Sequence, residues 1–222
     1  MAQPAYDGII FDLDGTLVHS APDLLAATNH ILQKYDLAPV PMQAIEKGIS
    51  FGALKMMEQA LIYAGTPNHF NVSSERDDFI NYYHQNIAVH SHVYRGGLDL
   101  LSALQQADIP VAVCTNKTAE LAASLLDQLG VTPLITALTG GNSFAFKKPD
   151  PRHLHETRHL MGLQDGHNLL MVGDSSNDIR AAQNAGWDSA VVTFGYHDMA
   201  PSDMGATHQI DSLDQLAQVI WL

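Results

Sequence analysis

Short apolar runs, each stopped by a polar residue or a glycine, constrain the fold of this chain more than any other feature. They occupy residues 8–11, 111–114, 169–172 and 190–192. Because these runs do not alternate apolar and polar residues, they are typical of strands buried on both faces of a parallel sheet. Stretches with helical periodicity accompany them, at about 98–107, 118–130, 151–162 and 177–186. The alternation predicts an open α/β sheet with helices on both faces.

Residues from about 20 to 90 break this alternation, because they show helical periodicity without a strand-like run. Ser20 is expected to cap a first helix, and further helices are expected around 53–64 and 75–90. We therefore predict an α/β protein with an open parallel-sheet, Rossmann-like core and a helical cap inserted after the first strand. The predicted division is a catalytic α/β core of residues 1–18 and 92–222, with a helical cap of residues 19–91.

Composition excludes several classes of function. The 222 residues include 24 acidic and 11 basic side chains, and a formal net charge of −13 argues against binding nucleic acid or anionic lipid by bulk charge. The apolar runs are far shorter than the ~20 residues of a membrane helix, and the first residues lack the pattern of a signal peptide. A single cysteine, Cys114, fits a reducing compartment. We expect a cytoplasmic protein, monomeric or homodimeric, without a membrane or nucleic-acid partner.

Four aspartates follow two of the predicted strands. Asp12 and Asp14 stand two residues apart in Phe-Asp-Leu-Asp-Gly-Thr-Leu, and Asp174 and Asp178 stand in Gly-Asp-Ser-Ser-Asn-Asp. Ligands bind at the carboxyl ends of strands in open α/β sheets, so these carboxylates should converge. Carboxylates so close to one another need a counter-cation, and a set of ligands made only of oxygen atoms favours Mg²⁺. An EF-hand calcium loop does not fit, because its glycine and its final glutamate are missing at the required spacing.

Groups of other chemistry follow further along the chain. Thr115 and Asn116 end a predicted strand, and Lys148 belongs to the segment Lys-Lys-Pro-Asp-Pro. A carboxylate nucleophile, magnesium, a hydroxyl group and a lysine are the parts that phosphoryl transfer needs. The neighbouring Lys117 and Lys147 are expected to be solvated or structural rather than catalytic.

In this order, the motifs resemble those of the haloacid dehalogenase-like hydrolases. Asp-x-Asp-Gly-Thr from Asp12, the strand-end Thr115, Lys148-Pro-x-Pro and Gly-Asp-x-x-x-Asp from Gly173 match the family's four motifs, and the insert before Thr115 corresponds to its helical cap. Within the family the chain looks most like the phosphoglycolate phosphatases. The supporting stretches are residues 11–18, 115–117, 140–143, 171–174 and 192–196.

The resemblance implies a role for each acidic residue. Asp12 would attack phosphorus and carry an aspartyl-phosphate, and Asp14 would act first as general acid and then as general base. Mg²⁺ would be held by the side chains of Asp12 and Asp174 and by the backbone carbonyl of Asp14. Asp178 would orient a metal-bound water or the Lys148 ammonium.

The resemblance also implies substrate contacts. Thr115 and Lys148 would hold phosphoryl oxygens, and Asn116 is a further candidate. In the cap, Lys47 and Phe51 are candidates for substrate selection, because Lys47 offers a cation to a second anionic group. The expected activity is Mg²⁺-dependent hydrolysis of a small phosphorylated metabolite, 2-phosphoglycolate first, with sugar phosphates or pyrophosphate as the alternative.

Two further features lie outside this assignment. His19 stands where many relatives have aspartate, and we interpret it as a hinge substitution without functional effect. His155-Glu156-x-x-His159 is a literal zinc-protease motif on a predicted helix, with Asp165 at the place of a third ligand. A zinc metalloprotease is therefore a remote alternative, although the polar face of that helix resembles a solvated surface.

Overall fold

The computed structural model describes residues 4–65 and 71–221, and it confirms the predicted α/β class. In chain order, its strands are β1 (Gly8–Phe11), β2 (Val18–His19), β3 (His92–Val93), β4 (Val111–Cys114), β5 (Ala137–Thr139), β6 (Leu169–Gly173), β7 (Asp188–Val192) and β8 (His208–Ile210). The main sheet has the order β5-β4-β1-β6-β7-β8, and its neighbouring strands are all parallel.

Helices cover both faces of this sheet. The α-helices are α1 (Ala21–Gln33), α2 (Ala53–Tyr63), α3 (Arg76–Gln85), α4 (Gly97–Gln106), α5 (Ala119–Gln128), α6 (Pro151–Leu160), α7 (Ser176–Ala185) and α8 (Leu213–Ile220). Alternate residues of a strand face opposite sides of a sheet. Ile9 and Phe11 of β1 accordingly pack in a large cluster with α4, α5 and α8, whereas Ile10 packs in a second cluster with α6 and α7. Because both faces are covered, the strands carry no polar alternation.

The predicted cap region contains α1, α2, α3 and a 3-10 helix at Glu46–Phe51. The chain leaves the core through β2 and returns through β3, and these two strands pair antiparallel, with Val18 opposite Val93 and His19 opposite His92. The division between core and cap at residues 18/19 and 91/92 stays a prediction. Within the described ranges, no helix has the length and apolar character needed to cross a membrane.

Local side-chain chemistry explains where the elements differ from the sequence prediction. The helix expected over 75–90 ends as α3 at Gln85. Asn86 follows it and donates its side-chain amide to the carbonyl of Tyr82 at 2.9 Å, which competes with continued helical bonding. Ser20 precedes α1 as expected, but its side chain does not cap the helix. The edge strands β5 and β8 were not predicted, because neither is a continuous buried apolar run.

Burial in α4 gives a matched test of the core. Leu104 is fully buried in the cluster with β1, whereas Leu98 of the same helix is 44% exposed. We expect Leu104→Ala to lower the free energy of unfolding by about 2–5 kcal/mol, because it leaves a cavity in a close-packed region. Leu98→Ala should lower it by less than about 1 kcal/mol. Urea denaturation of both variants measures the difference, and equal losses would contradict the assigned packing of α4.

Candidate active site

Three neighbouring strands bring the predicted site residues to one edge of the sheet. Asp12 follows β1, Thr115 follows β4 and Asp174 follows β6. Because β1 lies between β4 and β6 and all three are parallel, their carboxyl ends meet. The three side chains are buried there. The convergence expected from the strand ends is therefore present.

Asp12, Asp174 and Asp178 form a buried acidic cluster at this edge. Each offers one carboxylate oxygen, and the three oxygens lie within 4.8 Å of one another. Asp178 stands in the first turn of α7, where its Oδ2 accepts hydrogen bonds from the backbone N–H of Ser175 at 3.0 Å and from the Ser175 hydroxyl at 2.6 Å. This capping interaction fixes the carboxylate of Asp178 beside the end of β6.

The donor set of the acidic cluster fits a divalent cation. Oδ2 of Asp174 accepts a hydrogen bond from the backbone N–H of Tyr196 at 2.5 Å. Its Oδ1 is buried, with no hydrogen-bond partner among the described residues. The three buried carboxylates of the cluster face one buried ammonium group, that of Lys148, which leaves two negative charges for a cation to balance. An all-oxygen set of this charge suits Mg²⁺.

The pKa values of the cluster reflect the same excess of negative charge. Burial raises the pKa of Asp12 to about 7; Lys148 opposes this shift and Asp178 adds to it. Burial also raises the pKa of Asp174 well above its usual value, and the carboxylates of Asp12 and Asp178 add to the effect. A cation among these oxygens would stabilise their ionised forms.

Lys148 joins the predicted nucleophile to Asp178. Its side chain is 1% exposed, and its Nζ lies 2.6 Å from Oδ1 of Asp12 and 2.7 Å from Oδ1 of Asp178. The same Nζ donates to the backbone carbonyl of Cys114 at 2.5 Å. Burial lowers the pKa of Lys148, but the two aspartates outweigh it and the net shift is upward, so the ammonium stays charged. The contact between Asp178 and Lys148 agrees with the orienting role expected for Asp178, and the role itself stays a prediction.

Asp14 contacts a lysine that the sequence analysis set aside. Its Oδ1 and Oδ2 lie 2.9 Å and 2.8 Å from Nζ of Lys117, and its Oδ1 accepts a hydrogen bond from the Ser20 hydroxyl at 2.5 Å. The Lys117 side chain is only 6% exposed, so it is not solvated, and its contact with Asp14 fits the other half of the expectation, a structural position. Ser20 does not cap α1 because its hydroxyl is engaged by Asp14. Hydrophobic pattern carries no signal for such a polar pairing, since the partners are over a hundred positions apart in the sequence.

The loop after β4 is held in place by close backbone packing. The backbone N–H of Lys117 donates to Oγ1 of Thr115 at 3.2 Å, and the backbone N–H of Gly141 donates to the Lys117 carbonyl at 2.7 Å. A Cβ at Gly141 would lie 2.4 Å from the Asn116 carbonyl oxygen, so only glycine allows this approach. Asn116 donates its side-chain amide to the backbone carbonyl of Lys148 at 3.1 Å. The loop is thereby tied to the segment that carries Lys148.

Two adjoining cavities lie between this edge and the cap. The smaller, of about 20 Å³, is lined by the site residues together with Ile49 and Ser50 of the cap. The larger, of about 190 Å³, is lined mainly by apolar side chains of the cap, with Phe51 among them. Lys47 is exposed and lines neither cavity. The structure thus brings Phe51 to the site region and does not bring Lys47 there.

His19 has more contacts than a neutral hinge substitution requires. Its Nδ1 lies 2.8 Å from the hydroxyl of Tyr196 and 3.2 Å from the hydroxyl of Tyr94. The Tyr196 hydroxyl also accepts a hydrogen bond from the backbone N–H of Ala21 at the start of α1. Since the backbone of Tyr196 binds Asp174, this tyrosine connects the acidic cluster to the start of the cap. Tyr196 was not singled out from the sequence, although it closes one of the stretches that carry the family resemblance.

The zinc-protease motif lies in α6, and its residues neither belong to the acidic cluster nor line the two cavities. The ring of His155 packs edge-on against Trp187, and His159 contacts Glu156 within the helix at 3.6 Å. Asp165, at the place of the third ligand, instead pairs with Arg158 at 2.5 Å. In the described part of the chain, the group of three or more residues able to hold a metal is the aspartate cluster and not this motif. These contacts explain the residues of the motif as ordinary surface residues of a helix.

These features together define a class of α/β hydrolases that carry an aspartate at the end of the first strand. The features are the sheet order, the Asp-x-Asp turn after β1, the buried lysine and the acidic cluster after β6. The family model described as haloacid dehalogenase-like hydrolase matches residues 9–192. The chain belongs to this family, as the sequence motifs predicted.

Relatives with named activities place the chain in a branch of that family. It is 40% identical over 213 residues to a phosphoglycolate phosphatase of Agrobacterium fabrum, covering 96% of this chain and 91% of the relative. It is 39% identical over 194 residues to a phosphoglycolate phosphatase of Pectobacterium atrosepticum, covering 87% of this chain and 82% of the relative. A crystal structure from Haemophilus somnus, described as a predicted phosphoglycolate phosphatase, superposes with a TM-score of 0.88 at 28% identity, covering 96% and 97% of the two chains. The chain is therefore a phosphatase of this branch.

A glycine beside the acidic cluster gives a test of how the cluster binds a cation. Gly15 has a φ of +85°, and a Cβ there would lie 2.1 Å from Oδ2 of Asp174. We expect Gly15→Ala to displace Asp174 and to weaken Mg²⁺ binding at least about tenfold, as measured by titration calorimetry. Gly186→Ala is the matched control, because Gly186 also has a positive φ of +72° but open space around it. The control should lose about 1–2 kcal/mol of stability through backbone strain alone and keep its Mg²⁺ affinity. Equal Mg²⁺ affinities in the two variants would contradict the cation site.

Proposed function

We propose that the chain is a Mg²⁺-dependent phosphomonoesterase that acts through an aspartyl-phosphate on Asp12, with 2-phosphoglycolate as its first substrate. The observation that carries this proposal is the position of Asp12. Its carboxylate belongs to the buried acidic cluster and also contacts the Lys148 ammonium at 2.6 Å. A carboxylate between a cation site and an ammonium group can approach a phosphoryl group without net repulsion.

The acidic cluster supports a Mg²⁺ site built from this chain's own oxygens. The proposed ligands are the side chains of Asp12 and Asp174 and the backbone carbonyl of Asp14, with Asp178 beside them. When bound, Mg²⁺ supplies positive charge that neutralises the phosphoryl oxygens and orients them toward Asp12. Asp178 holds Lys148 in position through the 2.7 Å contact between their side chains.

The reaction divides into two displacements at phosphorus. In the first, a carboxylate oxygen of Asp12 forms a bond to phosphorus while the bond from phosphorus to the alcohol oxygen breaks, and Asp14, which starts the cycle in its protonated form, gives its proton to that oxygen. In the second, Asp14 takes a proton from a water molecule, whose oxygen forms a bond to phosphorus while the bond from phosphorus to the Asp12 oxygen breaks. Inorganic phosphate leaves and Asp12 regains its carboxylate. Asp14 thus recovers in the second step the proton that it gave in the first.

Residues around Asp12 would hold the transferred group. Thr115 is 2% exposed and lines the smaller cavity together with Asn116 and Lys148. Its hydroxyl and the Lys148 ammonium are the proposed donors to the phosphoryl oxygens. Asn116 contributes through its bond to the Lys148 backbone, which holds the two segments together.

Phosphoglycolate is proposed as substrate because the named relatives, at about 40% identity over nearly the whole chain, are phosphoglycolate phosphatases. Another phosphorylated metabolite, such as a sugar phosphate or pyrophosphate, is the second candidate. The observation that favours it is the larger cavity, whose volume of about 190 Å³ leaves room for a larger leaving group. Phe51 lines that cavity and is the proposed cap residue for selection. A cytoplasmic location and a monomeric or homodimeric state remain predictions.

Replacement of the proposed nucleophile tests the reaction directly. Asp12→Asn should lower kcat on phosphoglycolate by at least about 10³-fold, because the amide is a poor nucleophile and no other group replaces it. Wild-type enzyme, quenched in acid during turnover, should carry phosphate on Asp12 by mass spectrometry. The matched control is Glu156→Gln in the zinc-protease motif, which should keep wild-type activity. Activity that survives in Asp12→Asn and disappears in Glu156→Gln would overturn the proposal.

Removal of divalent cations tests the role assigned to the acidic cluster. We expect a chelator to abolish hydrolysis of phosphoglycolate and added Mg²⁺ to restore it, because the cluster then recovers the charge it needs to bind a phosphate dianion. Ca²⁺ should restore it poorly, since it prefers more ligands and a looser geometry. Steady-state rates at fixed free metal concentration provide the measurement. Full activity in the metal-free enzyme would exclude the proposed mechanism.

A further inference from the structure

Lys117 places a buried ammonium group on the side of the site where the leaving group must lie. Its Nζ contacts both carboxylate oxygens of Asp14, at 2.8 Å and 2.9 Å. The Tyr83 ring of α3 lies on another side, with its centroid 4.6 Å from the same Nζ. Lys117 lines both the smaller and the larger cavity. It therefore stands where the phosphoryl pocket opens into the space available to the alcohol.

The chemistry of Asp14 fixes which substrate atoms come near Lys117. In the proposed reaction, Asp14 protonates the oxygen that links phosphorus to the leaving group. In 2-phosphoglycolate a single carbon separates that oxygen from the carboxylate. An ammonium group in contact with Asp14 is therefore within reach of this carboxylate. An alkyl phosphate of the same size would offer Lys117 no anionic group.

Other cations near the cavities are less suited to this contact. Arg76 and Lys147 line the larger cavity, but the Arg76 side chain is 47% exposed and Lys147 is exposed as well. Lys148 does not line the larger cavity, and it is the proposed donor to the phosphoryl oxygens. An ion pair shielded from water is stronger and less screened by salt than one at the surface. Lys117 is thus the buried cation, among the described residues that line the larger cavity, with access to the leaving group.

The surroundings of Lys117 keep this cation in a defined place. Its backbone N–H and carbonyl are both bonded, to Thr115 and to Gly141. The Tyr83 ring is buried, and it belongs to the cap. A substrate carboxylate at Lys117 would consequently be enclosed by core on one side and by α3 on the other. A charged group held in a fixed position, as the Lys117 ammonium is, discriminates between ligands by their charge.

We propose that Lys117 is a specificity-determining residue that binds the carboxylate of the leaving group and so selects phosphate esters of 2-hydroxy acids. The carboxylate shares the ammonium group with Asp14, so the selected anion lies beside the oxygen that Asp14 protonates. This inference rests on the proposed phosphatase function and adds the residue that chooses its substrate.

The test compares two substrates that differ in the carboxylate. kcat/KM is measured on 2-phosphoglycolate and on ethyl phosphate, for the wild type and for Lys117→Met. We expect kcat/KM on 2-phosphoglycolate to fall at least about 30-fold in Lys117→Met, mainly through KM, because a charged hydrogen bond is lost. On ethyl phosphate kcat/KM also falls, because Asp14 loses its ion-pair partner with either substrate, but the ratio of the two kcat/KM values should drop at least about tenfold. Lys117→Arg keeps the charge and should restore part of the preference.

Lys147→Met is the matched control, because it removes the same charge from an exposed position at the larger cavity. It should leave the ratio of the two kcat/KM values within about twofold of the wild-type ratio. If Lys117→Met lowers kcat/KM equally on the two substrates, or lowers it on neither, Lys117 does not select the carboxylate. If the wild type itself shows no preference for 2-phosphoglycolate while Asp12 is still required, the substrate assignment fails and the phosphatase chemistry stands.

A second measurement uses only the wild-type enzyme and so does not depend on the folding of a variant. The amide of 2-phosphoglycolate keeps its size and its phosphate but lacks the negative carboxylate. We expect kcat/KM on the amide to be at least about 30-fold lower than on 2-phosphoglycolate. Equal values would overturn the role assigned to Lys117.

Discussion

The repulsion among four buried carboxylates is the constraint on which the rest of the site depends. Asp12, Asp14, Asp174 and Asp178 lie at one edge of the sheet, where burial raises the pKa of Asp12 to about 7. Neighbouring groups of the protein, and not bulk water, contact each of these carboxylates. Lys148 joins two of them, and its ammonium is matched by the two aspartates it contacts. Two negative charges remain after these pairings, and a divalent cation would balance them.

The fold supplies this arrangement through close backbone approaches at the strand ends. Gly173 ends β6 at a point where a Cβ would lie 2.2 Å from the side chain of Asp178. Gly195 follows β7 and would meet Asp174 at a similar distance, 2.3 Å. Because the two glycines have no side chains, the carboxylates can sit against the backbone of adjacent loops. The acidic cluster is thus built into the packing of the sheet edge and does not depend on long, mobile side chains.

Sequence reasoning predicted the parts of the fold and the site that carry a local signal. Unalternating apolar runs identified β1, β4, β6 and most of β7, since each buries residues on both faces. The strand-end positions of Asp12 and Asp174 then followed from parallel topology. Sequence could not show that Lys117 is buried against Asp14, because that contact joins residues 103 positions apart. It also assigned Ser20 to a helix cap, since a competing partner for a hydroxyl is visible only in three dimensions.

The cap and the core contact each other through residues that also contact the proposed catalytic groups. Substrate selection therefore need not depend on the cap alone. Tyr196 binds Asp174 through its backbone and the start of α1 through its hydroxyl. Tyr83 of the cap lies over the ammonium of Lys117, a residue of the core. A leaving group bound at Lys117 would therefore be contacted by the core loop that follows β4 and enclosed by α3. Core and cap would then select the substrate together, the core by charge and the cap by the space it leaves.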